Sequence, residues 1–376
     1  MDKNISTNLI SPLKVIRGEG ALNQGAKTIP NISRRPILIG RSEWTKELRH
    51  SIKTEIEKEG VIVTGLDLEF DCCEIDLNRI EKIALDLNCD GVIAAGGGKV
   101  LDAGKLIANR INLPSITIPT SAATCAGWTA LSNIYSCEGK FVEDKKLTSC
   151  PELLIFDHEI VRTAPPRTLA SGVADGLAKW YEASLASSSS NDGMVQQAVQ
   201  MARVLRDQLF LNSRKAFSDP YSQEWITVAE GCALTAGLIG GIGGAKCRTA
   251  AAHPIHNGLT QLKFKQKPLH GEIVCFGILV QLALEESSAG NQLAKQARLQ
   301  LNHLIKDLKL PSKLEDLHLT ETSNDSLLEA CKFACKEDSD IHKIPFTVQE
   351  KELLKALRIN GLDPSEISLI NKQGSI

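Results

Sequence analysis

The sequence predicts two domains of different class: an α/β domain with a parallel sheet over residues 1–162 and an all-helical domain over 163–376. Three observations predict this. A chain of 376 residues supplies material for about two cores at roughly 150 residues each. From residue 36, short β-branched runs alternate with charged stretches of helical period, the pattern of βαβ units. Pro165-Pro166 then closes the alternating segment, and long helical patterns follow with almost no strand signal.

Taken in order, Pro36 to Gly40 reads as a strand, Glu43 to Glu59 as an amphipathic helix, and Val61-Ile62-Val63 as a strand. Leu77 to Leu87 reads as a helix, Gly91 to Ala95 as a strand, Val100 to Asn109 as a helix and Ser115 to Pro119 as a strand. Leu153 to Asp157 is the last strand-like run. Helices are then expected at Leu169 to Leu185, Met194 to Leu209, Gln223 to Leu238, Glu272 to Glu286, Gly290 to Leu308 and Leu327 to Lys336. Short polar loops such as Ser187 to Asp192 join them.

Composition narrows the partners. Hydrophobic residues at 43% and charged residues at 23% describe a globular chain. Forty-three Lys+Arg against 45 Asp+Glu leave a net charge of -2, so no broad positive field would gather nucleic acid or anionic lipid. MDKNISTNLI carries no apolar core of signal-peptide length. The apolar run around Val274 to Leu284 falls short of the roughly 20 residues of a membrane span. Eleven cysteines, an odd number without a CxxC pair, read as free thiols in a reducing compartment, and a cytoplasmic location is expected.

The 28 glycines crowd into Gly96-Gly97-Gly98 and into Gly237 to Gly244. In IAAGGGKVLDAGK the first cluster follows a strand and precedes a helix. Backbone N–H groups and the positive end of the helix dipole converge there, and a residue without Cβ lets a phosphate come close. A tight strand-to-helix turn is the plainer alternative. Asp102 and Lys105, one helical turn apart, either touch ribose and phosphate or form an exposed pair. PTSAATCAGWTALSNIY follows the next strand and offers the hydroxyls of Thr120, Ser121, Thr124 and Thr129 beside small residues.

Three of the eight histidines, His253, His256 and His270, fall in AAHPIHNGLTQLKFKQKPLHGE. His253 and His256 share a helix face at i,i+3, and His270 opens the next helix, where the dipole favours the neutral imidazole that a metal needs. In SGVADGLAKWYEA, Asp175 lies on the apolar side of a helix, where a carboxylate is costly unless paired or metal-bound. A set of Asp175, His253 and His270 would leave an open coordination position, the arrangement of a catalytic metal.

GGGKVLDAGK, PTSAAT with ALSNIY, SGVADGLAKWYEA, AAHPIHNGLT and PLHGEIVCFG stand in the order and at the separations of the iron-containing alcohol dehydrogenase superfamily. Over residues 10 to 285 the chain resembles its glycerol dehydrogenase branch most. The resemblance implies a Rossmann-like dinucleotide-binding domain, a helical metal-binding domain, and an active site in the cleft between them. It implies Asp175, His253 and His270 as ligands of one divalent metal. It also implies cofactor contacts at Gly97, Gly98, Asp102, Thr120, Thr129, Leu131 and Tyr135, and homo-oligomers are common among such relatives.

Three departures bear on specificity. Cys125 stands where glycerol dehydrogenases carry a polyol-binding aspartate; losing such a charge-assisted acceptor costs about 1.5–3 kcal/mol. With Trp128 nearby, this favours a less polar alcohol, aldehyde or ketone, although Trp128 is equally well explained by packing. Arg41 and Ser42 follow the first strand in place of the acidic residue that binds the ribose of NAD, so NADP(H) is favoured over NAD. Lys179 stands where some iron-dependent members have a third histidine, which favours zinc over iron.

The expected activity is therefore metal-dependent hydride transfer between NAD(P)(H) and a small alcohol or carbonyl compound. His256 is a candidate for proton relay or substrate contact, with a supporting role to a ligand histidine as the alternative. An NAD-linked glycerol dehydrogenase, a glycerol-1-phosphate dehydrogenase, a carbocycle-forming lyase and a silent nucleotide-binding protein are the competing readings.

Overall fold

The computed structural model describes residues 7–360; residues 1–6 and 361–376, the ends of the two expected domains, lie outside it. The chain divides into two compact units. One runs to Gly172 and takes in Ala229–Gly244, and the other comprises Val173–Val228 and the chain from Ala245 onward.

The first unit is built on β1 (Lys14–Gly18), α1 (Ala21–Ala26), β2 (Pro36–Gly40), α2 (Lys46–Glu57), β3 (Thr64–Asp67), α3 (Glu74–Asp86), β4 (Gly91–Gly96), α4 (Gly98–Arg110), β5 (Ser115–Pro119), β6 (Leu131–Tyr135), β7 (Phe141–Lys146), β8 (Leu153–Asp157) and α5 (His158–Arg162). Six strands pair in the order β1-β8-β5-β4-β2-β3, every pair parallel. Strands β2, β4 and β8 are buried along their whole length, which explains why they read as continuous apolar runs rather than alternating ones. After β2 the chain moves outward to β3, then crosses back to β4 on the other side. The order reverses between β2 and β4, and such a reversal opens a crevice at the carboxyl ends of the two strands.

The sheet departs from expectation in three places. The second strand covers Thr64–Asp67 rather than Val61 to Val63; Val61 and Val63 are buried core residues on the approach to it. Strand β1 pairs with β8 at the sheet edge, and its mixed, half-exposed pattern hid it from the alternation. Strands β6 and β7 form a separate antiparallel hairpin, an addition to the purely parallel expectation.

The helices that follow are α6 (Pro166–Ala186), α7 (Gly193–Ser218), α8 (Gln223–Glu230), α9 (Ala236–Gly243), α10 (Ala252–Leu259), α11 (His270–Ala289), α12 (Gln292–Asp307), α13 (Asn324–Ala334) and α14 (Glu350–Ile359). Pro166 does not end structure but begins it, as the first residue of α6, where its missing N–H is not needed. Helices α8 and α9 are joined by a wider π-turn at Gly231–Thr235, so the helix expected to stop at Leu238 continues to Gly243. By length and composition the stretch Gln223–Cys247 is apolar enough to cross a membrane, but 61% of its most apolar window is buried in the protein; it serves as a core helix. The second unit is mostly helical, with a single bridge pairing of Phe264 with Leu319 among the described residues. Its core gathers α10, α11, α13 and α14 around Ile255, Phe276, Val280, Leu327 and Leu353.

Candidate active site

In the second unit, α6 carries Asp175, Lys179 and Glu182 at i, i+4 and i+7, one face of a helix, and all three are buried. Helix α10 supplies His253 and His256, and His270 is the first residue of α11. Asp175 Oδ1 lies 3.3 Å from His253 Nε2 and 3.6 Å from His270 Nε2. One ligand atom from each of Asp175, His253 and His270 falls within 4.8 Å of the others. The three residues singled out from sequence are thus brought together by three helices. Two imidazole nitrogens and one carboxylate oxygen converging on one point suit a borderline divalent cation such as Zn²⁺ or Fe²⁺.

The outer nitrogens of both imidazoles are engaged. Glu182, fully buried, sets Oε2 at 2.5 Å from His253 Nδ1, while its Oε1 accepts the backbone N–H groups of Ala250 and His253 at 2.8 and 3.0 Å. With Nδ1–H donated to Glu182, the Nε2 of His253 is turned toward Asp175. His270 is held similarly: its Nδ1 lies 3.0 Å from His256 Nε2, and His256 Nδ1 lies 2.9 Å from Asn257 Oδ1. Asn257 Oδ1 accepts from His256 Nδ1; with His256 neutral, its Nε2 accepts from His270 Nδ1, which turns the Nε2 of His270 toward Asp175. His256 is 2% exposed, and its contact with His270 Nδ1 places it behind that imidazole.

The electrostatics agree. Burial works against the charged form of His253, but the Glu182 carboxylate and the hydrogen bond to Asp175 raise its pKa to about 9. Burial opposes the Asp175 carboxylate as well, and the Lys179 ammonium with the two imidazoles overcomes it, holding the group well below the usual range. A site that favours a proton between two carboxylates also favours a cation there. Glu182 and Asn257 were missed from sequence. Glu182 was visible seven residues beyond Asp175 on the same face; Asn257 offered no signal beyond adjacency to His256.

In the first unit the glycine cluster stands where expected: Gly96 ends β4, Gly97 precedes α4 and Gly98 opens it. A Cβ on Gly98 would lie 3.0 Å from Thr124 Cγ2, whereas one on Gly97 would meet only Ser121 Oγ, at 3.9 Å. Thr120 follows β5 and donates its backbone N–H to Gly96 O. Arg41 and Ser42 follow β2, so both sides of the β2/β4 crevice carry residues singled out from sequence.

Asp102 and Lys105 are not an exposed pair. Both are buried, with Lys105 Nζ 3.1 Å from Asp102 Oδ1. The ammonium also donates to Thr129 O at 3.0 Å and to Leu131 O, and Ser132 Oγ donates to Asp102 O at 2.9 Å. This pair fastens α4 to the start of β6. Tyr135 is buried at the end of β6, and burial, then Asp102 and Asp71, raise its phenol so that it stays protonated. The Lys99 ammonium lies 4.1 Å from the centre of its ring and pairs with the buried Asp71, which also stands 3.5 Å from Arg41 Nη1.

Trp128 is held by contacts with the protein itself. The Trp128 indole N–H donates to Ile10 O at 3.0 Å, and a Cβ on Gly237 would meet Trp128 Cβ at 2.5 Å. Trp128 is a packed residue, which favours the packing alternative; Cys125 is half-buried and accepts the Trp128 backbone N–H on its carbonyl. The second glycine cluster makes room for this indole and for the Ile10 backbone, against which a Cβ on Gly241 would lie 2.2 Å from the carbonyl oxygen.

The chain is similar to known proteins along most of its length. Residues 12–158 match the family model described as iron-containing alcohol dehydrogenase. An uncharacterized oxidoreductase of Synechocystis sp. is 43% identical over 93% of this chain and 90% of its own length. A glycerol dehydrogenase of Pseudomonas putida is 31% identical over 93% of this chain and 95% of its own. The crystal structure of glycerol dehydrogenase from Schizosaccharomyces pombe superposes with a TM-score of 0.83 at 24% identity, covering 100% of this chain and 94% of that one.

Proposed function

This chain belongs to the iron-containing alcohol dehydrogenase family, in its glycerol dehydrogenase-like branch, and we propose that it moves a hydride reversibly between NAD(P)(H) and a small alcohol, aldehyde or ketone. The observation that carries the proposal is the convergence of Asp175, His253 and His270 within 4.8 Å, with the outer nitrogen of each imidazole held by a buried partner.

A divalent metal held by these three residues supplies Lewis-acid polarisation of the substrate oxygen, and the nicotinamide supplies or accepts the hydride. The protein's own residues do the rest. Glu182 and His256 fix the tautomers of His253 and His270, so His256 is a positioning residue acting through His270. Lys179 keeps the Asp175 carboxylate ionised. Gly97 and Gly98, at the α4 N-terminus, leave room for a pyrophosphate beside first-turn N–H groups, while Thr120 bounds the same loop. Lys105 and Asp102 hold Thr129, Leu131 and Ser132 in place.

Three finer assignments belong to the same proposal. NADP(H) is favoured, with Arg41 and Ser42 beside the adenosine ribose, since an arginine attracts a 2′-phosphate. Zinc is favoured over iron, because Lys179 occupies the position of a further histidine. An alcohol or carbonyl less polar than glycerol is favoured, because Cys125 offers no carboxylate to substrate hydroxyls. One observation favours a second reading, an NAD-linked glycerol dehydrogenase: Asp71 stands 3.5 Å from Arg41 and shares its charge. We infer a cytoplasmic homo-oligomer acting on a small molecule, with neither nucleic acid nor membrane as partner.

The test is oxidation of NADPH and NADH by purified protein with a panel of aldehydes and ketones, before and after chelation and after return of zinc or iron. Chelator-insensitive turnover overturns the metal assignment. Activity with NADH alone overturns the role of Arg41, and efficient glycerol oxidation overturns the reading of Cys125.

A further inference from the structure

We propose that Cys73 and Cys137 form a reversible disulfide that fastens the β6–β7 hairpin to the start of α3. Their sulfur atoms lie 3.5 Å apart, and a side-chain adjustment brings them to the bonding distance of about 2.0 Å. The two residues are 64 positions apart in the chain, so their meeting is a product of the fold. Cys73 immediately precedes α3 and is 1% exposed. Cys137 sits partly exposed in the turn that links β6 to β7, closed by Gly139 N–H to Ser136 O at 2.8 Å and Ser136 N–H to Lys140 O at 2.8 Å.

The hairpin is outside the six-stranded sheet and is held to its neighbours by separate ties, among them Lys105 to Leu131 O. One is already at this junction: Tyr135 N–H donates to Cys72 O at 2.8 Å. A covalent bond next to it would immobilise the strand that carries Tyr135 and, through Tyr135, the Lys99 ammonium on its ring. It would also fix the segment Asp71-Cys72-Cys73, whose Asp71 carboxylate pairs with Lys99 and Arg41.

The oxidant is a low-molecular-weight disulfide. The accessible Cys137, as thiolate, attacks one sulfur of that disulfide; its S–S bond breaks, one thiol leaves with the electron pair and takes up a proton, and a mixed disulfide remains on Cys137. The Cys73 thiolate then attacks the Cys137 sulfur and expels the second small thiol. Two protein thiols are oxidised by two electrons, and one small disulfide is reduced to two thiols. The hydrogen bond to Cys73, then partial burial, holds the Cys137 thiol above its ordinary value, so exchange quickens as pH rises toward that value.

The full-length protein is incubated with oxidised glutathione, free thiols are blocked with N-ethylmaleimide, and the digest is mapped without reduction. The expected product links Cys73 to Cys137, consumes two of the eleven thiols and disappears with dithiothreitol. Amide exchange in residues 136–140 slows at least tenfold in the linked form. Cys73→Ser leaves Cys137 as a stable glutathione adduct, and Cys137→Ser, a turn substitution that spares the core, yields no link. Alkylated Cys73 beside glutathione-bound Cys137 in the wild-type protein overturns the proposal. So does a link to another cysteine, no reaction at either residue, or unchanged exchange in the linked hairpin. None of these readouts depends on turnover.

Discussion

The Glu182 carboxylate faces the outer ring nitrogen of His253 at 2.5 Å while also binding two backbone N–H groups at the start of α10. One buried side chain of α6 thereby fixes both the position of α10 and the tautomer of the histidine it carries. Removing such a partner typically costs 10–100-fold in metal affinity. Glu182→Gln keeps the shape but weakens the acceptor, and metal affinity is expected to fall within that range, measured by competition with a chromogenic chelator. Turnover at saturating metal should recover most of its original value. Unchanged affinity would show that Glu182 only supports the fold.

His256 and His270 face each other at 3.0 Å, and positioning and proton relay predict different outcomes when His256 is replaced. His256→Gln is expected to lower metal affinity roughly tenfold, with added metal restoring kcat and leaving its pH profile unchanged in shape. If His256 instead carries a proton, metal affinity stays put and one limb of the kcat profile disappears.

How much of this was legible depended on the kind of signal. Strands β2, β4, β5 and β8 were readable because burial on both faces leaves nearly unbroken apolar runs. Strand β1 and the hairpin strand β7, exposed along much of their length, carry no such run, and their pairing is a matter of long-range contact. Asp175, His253 and His270 could be chosen because few roles suit a carboxylate and imidazoles on apolar helix faces. Trp128 could not be assigned, since an aromatic in a loop of small residues and hydroxyls has the same local sequence whether it meets a ligand or Gly237. The partner decides, and that partner is 109 positions away.

Gly237→Ala tests that packing. The added Cβ would lie 2.5 Å from Trp128 Cβ, against the rigid stem of the indole. Overpacking of this kind costs about 1–3 kcal/mol, and a lowered urea midpoint is expected. Trp128→Leu alone should also destabilise, by the loss of its hydrogen bond to Ile10 and of buried area. Leucine keeps the Cβ and Cγ that the added methyl meets, so the double variant should show little rescue, its loss close to the sum of the two single losses. Substantial rescue would place the strain on the outer indole atoms.

Arg41 faces a choice between Asp71 and a ligand phosphate. Its guanidinium is half-exposed and lies 3.5 Å from the Asp71 carboxylate. A charge-assisted contact to a 2′-phosphate is worth about 1.5–3 kcal/mol, so Arg41→Ala should raise KM for NADPH by roughly 10- to 150-fold and leave KM for NADH nearly unchanged. Equal changes for the two cofactors would assign Arg41 to holding Asp71 rather than to discrimination.

Asp76 supplies a pH dependence whose sign follows from its surroundings. Burial opposes its charge, but the backbone N–H groups of Glu69 and Phe70 and the Arg79 guanidinium together lower its carboxyl below the ordinary 3.8. These contacts measure 3.0 Å from Glu69 N, 2.7 Å from Phe70 N and 2.6 Å from Arg79 Nη2. A group depressed in the folded state binds fewer protons there than in the unfolded chain. Its stabilisation is therefore complete well above pH 3.8 and is lost as pH falls through the lower folded value. Asp76→Asn should thus be clearly destabilised at pH 7, and its deficit against the wild-type protein should shrink as unfolding is measured at successively lower pH below about 4. The contacts lie in the segment joining β3 to α3, so a local readout, amide exchange at Glu69 and Phe70, should follow the same course. A deficit that stays constant into acid would mean that Asp76 acts through shape and hydrogen bonding alone, with no contribution from its charge.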